Sequence, residues 1–235
     1  MESLYIFKEF FNKTLKSENI ESRNDHIYLN HNKRENYLFN ARIKGVEEAD
    51  FILLIGSNPR YEETILNARI RKAYLQNKTK IISLNDIGDL TYPYDHLDGD
   101  VENIKKIVED NHKISNIIKE SKKPLVIFGP SSLKSKSAKY IFESVKSFLK
   151  KNNKISEEWN SLNTISLNAS TVGSFDLGIY KTEDGLNEVL TNLENHKFEI
   201  VYLLGVDNIN FKKKDEFIIY QGSHGDKGAE MADII

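Results

Sequence analysis

Short apolar runs alternate with segments whose apolar positions recur every three or four residues, and this alternation organises the chain from Gly45 onward. Phe51–Ile55 is five apolar residues in a row, closed by Gly56 and followed by Asn58-Pro59. That pattern predicts a buried strand and then a helix start, with Asn as the cap and Pro in the first turn. Ile65, Leu66, Ile70, Ala73 and Tyr74 mark the next helix, and Lys80–Leu84 the next strand. Val101, Ile104, Ile107, Val108, Ile114, Ile117 and Ile118 mark helical turns up to Glu120. The pattern then restarts with a strand over 124–128, ending at Gly129, and a helical stripe through Ala138, Ile141, Phe142, Val145, Phe148 and Leu149. Trp159, Leu162 and Leu167 belong to a helix or short strand; Leu186, Val189, Leu190 and Leu193 mark a further helix. Strands follow over 199–204 and 216–221. Near-continuous apolar strands separated by helices imply an α/β protein with mostly parallel, Rossmann-like sheets flanked by helices on both faces.

Ahead of this region, Leu4, Phe7, Phe10, Phe11 and Leu15 have helical spacing, and their aromatic stripe suits packing on the parent fold or a partner better than a membrane surface. Glu21–Arg34 is polar and aperiodic, a connector. The expected division is therefore an amphipathic helix and connector over 1–44, a first α/β unit over 45–120, and a second over 121–235 that is incomplete at its C-terminus.

Composition removes several function classes. Among 235 residues there is no cysteine, so the chain offers no disulfide, no thiol nucleophile and no thiolate for an iron–sulfur cluster or zinc. The six histidines are scattered, outside any metal-ligand spacing, and read as surface or capping residues. A formal charge of -2 gives no electrostatic reason to expect nucleic acid. No apolar run approaches the roughly 20 residues of a membrane span. The N-terminus has no signal-peptide core, and its Glu2, Glu9, Glu18 and Glu21 are unlike an arginine-rich transit peptide. Abundant Lys, Asn and Ile, with few Gly, Ala and Pro, read as AT-rich coding DNA.

Three loops leave strand carboxyl ends, where open α/β sheets place ligands: Gly56-Ser57-Asn58-Pro59-Arg60, Gly129-Pro130-Ser131-Ser132 and Gly205-Val206-Asp207-Asn208. None is a phosphate fingerprint, and glycines that turn the chain sharply are the simpler reading. Ser223, His224 and Asp226 crowd one loop, but a hydrolytic triad is assembled in space and the nucleophile elbow is missing; a structural loop is favoured. Asp95-His96-Leu97-Asp98-Gly99-Asp100 fails the calcium-loop spacing and reads as a turn with a helix cap. No catalytic residue and no metal ligand is expected.

Several ordered segments nevertheless resemble one family. They are Gly45–Asp50, Leu53–Glu62, Leu66–Lys72, Asp89–Tyr92, Tyr94–Leu97, Lys122–Pro124, Leu203–Gly205, Phe217–Gly222, His224–Asp226, Gly228-Ala229 and Ala232-Asp233. Together they are similar to the large iron–sulfur subunit of respiratory NADH:ubiquinone oxidoreductase (complex I), within the wider molybdopterin-oxidoreductase family. The likeness covers most of 37–235, and the block Arg69-Ile70-Arg71-Lys72 is specific to the complex I branch; about 134–193 matches only in pattern.

The resemblance implies a structural, cofactor-free portion of that subunit, supporting electron transfer from NADH to quinone without holding a redox centre. It places the iron–sulfur clusters in a separate cysteine-rich partner chain, beside other complex I subunits. It places the chain in the matrix-side peripheral arm of the mitochondrial inner-membrane complex, and the AT-rich bias with the missing transit peptide fits synthesis inside mitochondria. Catalytic members of the wider family carry Asp-Pro-Arg after the second strand of this region, where this chain has Ser83-Leu84-Asn85-Asp86. The crevice at Gly56, Ser57, Asn58 and Pro59 is then vestigial. The alternative is an active oxidoreductase domain binding molybdopterin or a nucleotide there; a third reading is a free-standing interaction module. In the arginine block, Arg69 is expected at the edge of the buried stripe, forking onto a carboxylate, with Arg71 and Lys72 projecting elsewhere.

Overall fold

The computed structural model describes residues 1–182, 184–206, 208–225 and 227–235. In chain order the elements are α1 (Glu2–Glu9), continued by a π-helical turn, then a 3-10 turn at Arg34–Asn36, α2 (Arg42–Val46), β1 (Phe51–Ile55), α3 (Pro59–Glu62) and α4 (Thr64–Asn77). Next come β2 (Lys80–Leu84), β3 (Asp95–Leu97), α5 (Val101–Val108), α6 (Lys113–Glu120), β4 (Pro124–Phe128), α7 (Pro130–Leu133) and α8 (Ala138–Lys151). The last are β5 (Leu162–Thr164), α9 (Thr171–Asp176), α10 (Glu188–Glu194), β6 (Ile200–Leu204), β7 (Phe217–Gln221) and α11 (Lys227–Glu230). All five expected strands form, and every pairing between strands is parallel.

Residues 28–169 make one compact unit around a sheet of order β3-β2-β1-β4-β5. β1 is central: Leu53 pairs with Ile82 of β2 on one side and with Val126 of β4 on the other. All five residues of β1, and all five of β4, are buried. Alternation sends Ile52, Leu54, Leu125 and Ile127 into one core with Val46 of α2 and Leu66 and Ile70 of α4. On the opposite face Phe128 meets Phe142 of α8, ring centroids 5.1 Å apart. This is the flanked parallel sheet that the unbroken apolar runs implied.

The expected division near residue 120 differs from this structure. β4 does not begin a new sheet; it adds to the free side of β1 in the register Phe51↔Pro124. Nor do residues 1–44 stay together, because 1–27 group with 170–235 while 28–44 belong to the large sheet. Tyr28 and Leu29 are buried there, with the Tyr28 hydroxyl 2.9 Å from Glu143 Oε1, and Phe39 bridges Asn163 of β5. The expected helical run to Glu120 is two helices, broken where Asp110 takes φ +65° and His112 Nδ1 accepts the Ile114 N–H at 3.2 Å. His112 therefore is a cap, and burial pushes its imidazolium down, keeping Nδ1 free to accept.

The second unit, 1–27 with 170–235, holds the parallel pair β6–β7, and Ile234 bridges the outer side of β7 at Ile219. Leu190, Leu193, Val201, Leu203, Ile218 and Tyr220 form its core. The aromatic stripe of the N-terminal helix packs on this unit, with Phe7 and Phe11 rings 5.1 and 6.0 Å from Tyr202. The polar connector contains a buried organiser. Arg23 pairs with Glu21, donates to the carbonyls of Ile27, Gly185 and Leu186, and lies over the Phe175 ring. A buried guanidinium with that many acceptors fixes the 21–27 segment against 175–187 without a hydrophobic pattern.

At the amino ends of β6 and β7, His196 Nδ1 lies 2.5 Å from Glu216 Oε1, and Glu216 Oε2 accepts the Lys214 N–H at 2.7 Å. The Lys214 N–H, with His196 second, holds the Glu216 carboxyl down at about 2. A depressed carboxylate pKa contributes stability that is present above the unfolded value and is lost as pH falls through the folded one. Urea melts of the chain and of Glu216→Gln from pH 6 to pH 2 should therefore differ most at pH 6 and converge as pH approaches 2; a difference independent of pH would place the contribution elsewhere.

Candidate functional site

The strand order places a topological switch between β1 and β4. From β1 the chain moves outward to β2 and β3, then returns to the other side of β1 for β4 and β5. The carboxyl ends of β1 and β4 are thus where this architecture opens a crevice. Two of the three loops singled out from the sequence, Gly56–Arg60 and Gly129–Ser132, leave from these two ends, side by side.

Their backbones are in contact. Gly129 N–H donates to Ile55 O at 2.9 Å, and Ser131 N–H donates to Gly56 O at 3.1 Å. Gly56 has φ +63°, and a Cβ there would stand 2.3 Å from Ser132 N; a Cβ on Gly129 would stand 2.3 Å from Gly56 O. Both positions need glycine because another backbone occupies the Cβ volume. Pro59 starts α3, as the sequence indicated, and Pro130 starts the short helix α7 within what reads from the sequence as a loop.

Asn58 does not act as the expected side-chain cap. Its Nδ2 donates instead to Ile87 O at 3.0 Å, tying the crevice to the β2–β3 loop. The Asn58 N–H, which faces the start of α3, donates to Glu62 Oε2 at 2.8 Å. The nearest cation is also engaged: Arg60 Nη1 donates to Asp89 O at 2.5 Å and to Asp89 Oδ2 at 2.6 Å. Asp89 also accepts the Thr91 N–H at 2.7 Å; that bond first, and Arg60 second, hold its carboxyl below the usual range. Tyr94 completes the lacing of this loop, its hydroxyl 3.0 Å from Asp86 Oδ1 and 2.9 Å from Gly88 O while accepting the Ile87 N–H. Ser57 Oγ, Asn58 Oδ1 and both oxygens of Glu63 are buried without a hydrogen-bond partner. Burial, with the charge of Glu62 second, pushes the Glu63 carboxyl up to about 8.

The other sequence candidates lie apart from the crevice. Asp95–Leu97 is β3, and Asp100 caps α5 by accepting the Glu102 N–H at 3.0 Å, as expected. Ser223 Oγ lies 2.8 Å from His224 Nδ1, both exposed, and Asp226 lies outside the described residues, as does Asp207 of the third loop. Among the described residues no three His, Cys, Asp or Glu side chains group as a metal site, and no helix is long and apolar enough to cross a membrane.

All 235 residues match the family model described as molybdopterin oxidoreductase. The chain belongs to the molybdopterin oxidoreductase family. Within it, the chain is 37% identical over 248 aligned residues to the NADH-ubiquinone oxidoreductase 75 kDa subunit of Reclinomonas americana, covering 100% of this chain and 36% of that protein. It is 34% identical over 236 residues to the mitochondrial NADH dehydrogenase [ubiquinone] iron-sulfur protein 1 of Solanum tuberosum, and 37% over 243 to the mitochondrial 78 kDa subunit of Neurospora crassa. In both cases 100% of this chain matches 31% of the relative. The chain spans about a third of the length of these curated relatives.

The arginine block that pointed to the complex I branch of the molybdopterin oxidoreductase family sits on α4. Arg69 reaches a carboxylate, Glu47, as expected. Lys72 does not project elsewhere; its Nζ lies 2.6 Å from the other oxygen of Glu47, because one turn of helix returns it to the same side. Lys72 first and Arg69 second pull the Glu47 carboxyl down. Arg71 turns away, towards Thr91 O at 3.4 Å.

Two outcomes follow from the crevice. Gly129→Ala should cost about 2–3 kcal/mol in urea unfolding, the overpacking range. Gly88→Ala, with φ +75° but open space around it, should cost about 1–2 kcal/mol from backbone strain alone. For Glu63 the raised pKa means that stability is fully present below the unfolded value and is lost as pH rises through about 8. Glu63→Gln should remove that decline and raise stability at pH 9 by about 1–3 kcal/mol, read from thermal melts across pH 5 to 9.

Proposed function

We propose that this chain is a structural, cofactor-free portion of the large iron–sulfur subunit of mitochondrial NADH:ubiquinone oxidoreductase. In this reading it supports electron transfer from NADH to quinone by shaping and stabilising the assembly. The supporting observation is that three donors of the crevice at the switch point are already taken. A pterin pyrophosphate needs free N–H groups and a cation at strand carboxyl ends and helix starts. Here the Asn58 N–H goes to Glu62, the Ser131 N–H goes to Gly56 O, and Arg60 goes to Asp89. An incoming phosphate would meet the Glu62 carboxylate. In this reading the crevice does not hold the cofactor that gives the family its name.

These residues contribute no thiolate, so in this reading the clusters are held by cysteines outside them, and the neighbours are other complex I subunits in the matrix-side peripheral arm. The mitochondrial names of the potato and Neurospora relatives support a mitochondrial location.

Native gel separation of mitochondrial membranes, with detection of this chain and in-gel NADH dehydrogenase activity, tests the assignment. Comigration is expected, and a free monomer would end it. The isolated chain should contain no stoichiometric iron or molybdenum by elemental analysis. Substituting Asn58 or Ser131 should reduce the amount of assembled complex while leaving turnover per assembled complex unchanged; normal assembly with abolished turnover would mark a live site.

A further inference from the structure

We propose that Lys146, on α8, is an acyl-acceptor site: a nucleophilic lysine that takes an acyl group from small thioesters. Lysines are among the side chains least often buried, yet Lys146 is only 8% exposed. Its ammonium stands 5.9 Å from the centroid of the Phe142 ring. Both carboxylates that act on it are engaged elsewhere. Glu143 Oε1 receives the Tyr28 hydroxyl at 2.9 Å and Asn30 Nδ2 at 2.5 Å, and Glu35 pairs with Lys150 at 3.6 Å. Among the described residues no acceptor or ion pair engages Lys146 itself. The side chain is almost wholly covered but not sealed.

The electrostatics act in the same direction. Burial first, then opposed and reinforced by its charged neighbours, pushes the ammonium below its ordinary range: Glu143 and Glu35 favour the charge, Lys150 and Lys33 disfavour it. A lysine desolvated beside other cations is a standard setting for an activated amine. In the reaction the neutral Nζ attacks the thioester carbonyl, a C–N bond forms, the C–S bond breaks, and the departing thiolate takes up the proton released from nitrogen. No oxidant or reductant is involved. The product amide is neutral, which removes an unpaired charge from an apolar setting.

The test is incubation of the full chain with acetyl-coenzyme A at pH 8, with acetylation rates at individual lysines followed by mass spectrometry. Lys146 should be labelled on the order of fivefold faster than Lys139 and Lys151, exposed lysines of the same helix. Equal or slower labelling of Lys146 overturns the proposal. Lys150→Gln removes the neighbouring charge and frees Glu35, so it should slow Lys146 acetylation and move its pH–rate profile upward. An unmoved profile would assign the labelling to accessibility alone and would equally overturn it. Lys146→Gln should melt at a higher temperature than the parent chain, and a lower melting temperature counts against a stranded charge.

Discussion

Two strands with no exposed residue, Phe51–Ile55 and Pro124–Phe128, lie side by side at the centre of the large sheet, and the passage of chain out of their carboxyl ends constrains everything around them. Each strand end must turn into a helix within a few residues, and both turns occupy the same volume. Glycine at 56 and 129 lets the backbones meet, with Gly129 N–H on Ile55 O and Ser131 N–H on Gly56 O. Proline at 59 and 130 then fixes the start of each helix where an N–H is not needed. Were the crossing wider, the in-register pairing of β1 with β4 would have to slip or open.

That same crossing decides what the crevice offers. Each buried N–H left without an acceptor costs about 1–3 kcal/mol, so a site evolved for a ligand keeps that deficit until the ligand arrives. Here three N–H groups are met internally, by Gly56 O, Ile55 O and the Glu62 carboxylate, and the neighbouring Arg60 pairs with Asp89. The remaining unpaired groups, Ser57 Oγ, Asn58 Oδ1 and the Glu63 carboxyl, need not converge. Asn58 reaches towards the β2–β3 loop, while Ser57 stands against Gly129 of the opposite strand end.

The sequence was legible wherever burial was carried by apolar residues in a row. β1, β2, β4, β6 and β7 lie within a residue of where the pattern put them, and the two glycine loops were recognisable from position alone. β3 was not, because an exposed Asp-His-Leu edge strand has no apolar signal. β5 was legible only as a helix or short strand around Leu162, because its central Asn163 is buried as a polar anchor, accepting the Ala41 N–H at 2.8 Å. Arg23 escaped in the same way, since a buried guanidinium satisfied by carbonyls looks like any polar connector in sequence. The division between units was misread because a restart of the strand–helix pattern says that another strand follows, not which side of the existing sheet it joins.

The Glu62 contact also bears on how family likeness should be weighed. Gly56 and Gly129 are required by the β1–β4 crossing whether or not anything binds there, so their presence in a family pattern carries no information about a ligand. Function in such folds is decided by groups that the packing does not need. In this crevice those groups are Glu62, which turns its carboxylate onto the Asn58 N–H, and Asp89, which holds the Arg60 guanidinium. Neither is required for the strands to pair, and both act against an anionic guest. The crossing glycines serve the packing of β1 against β4, while Glu62 and Asp89 take up two of the donors beside it.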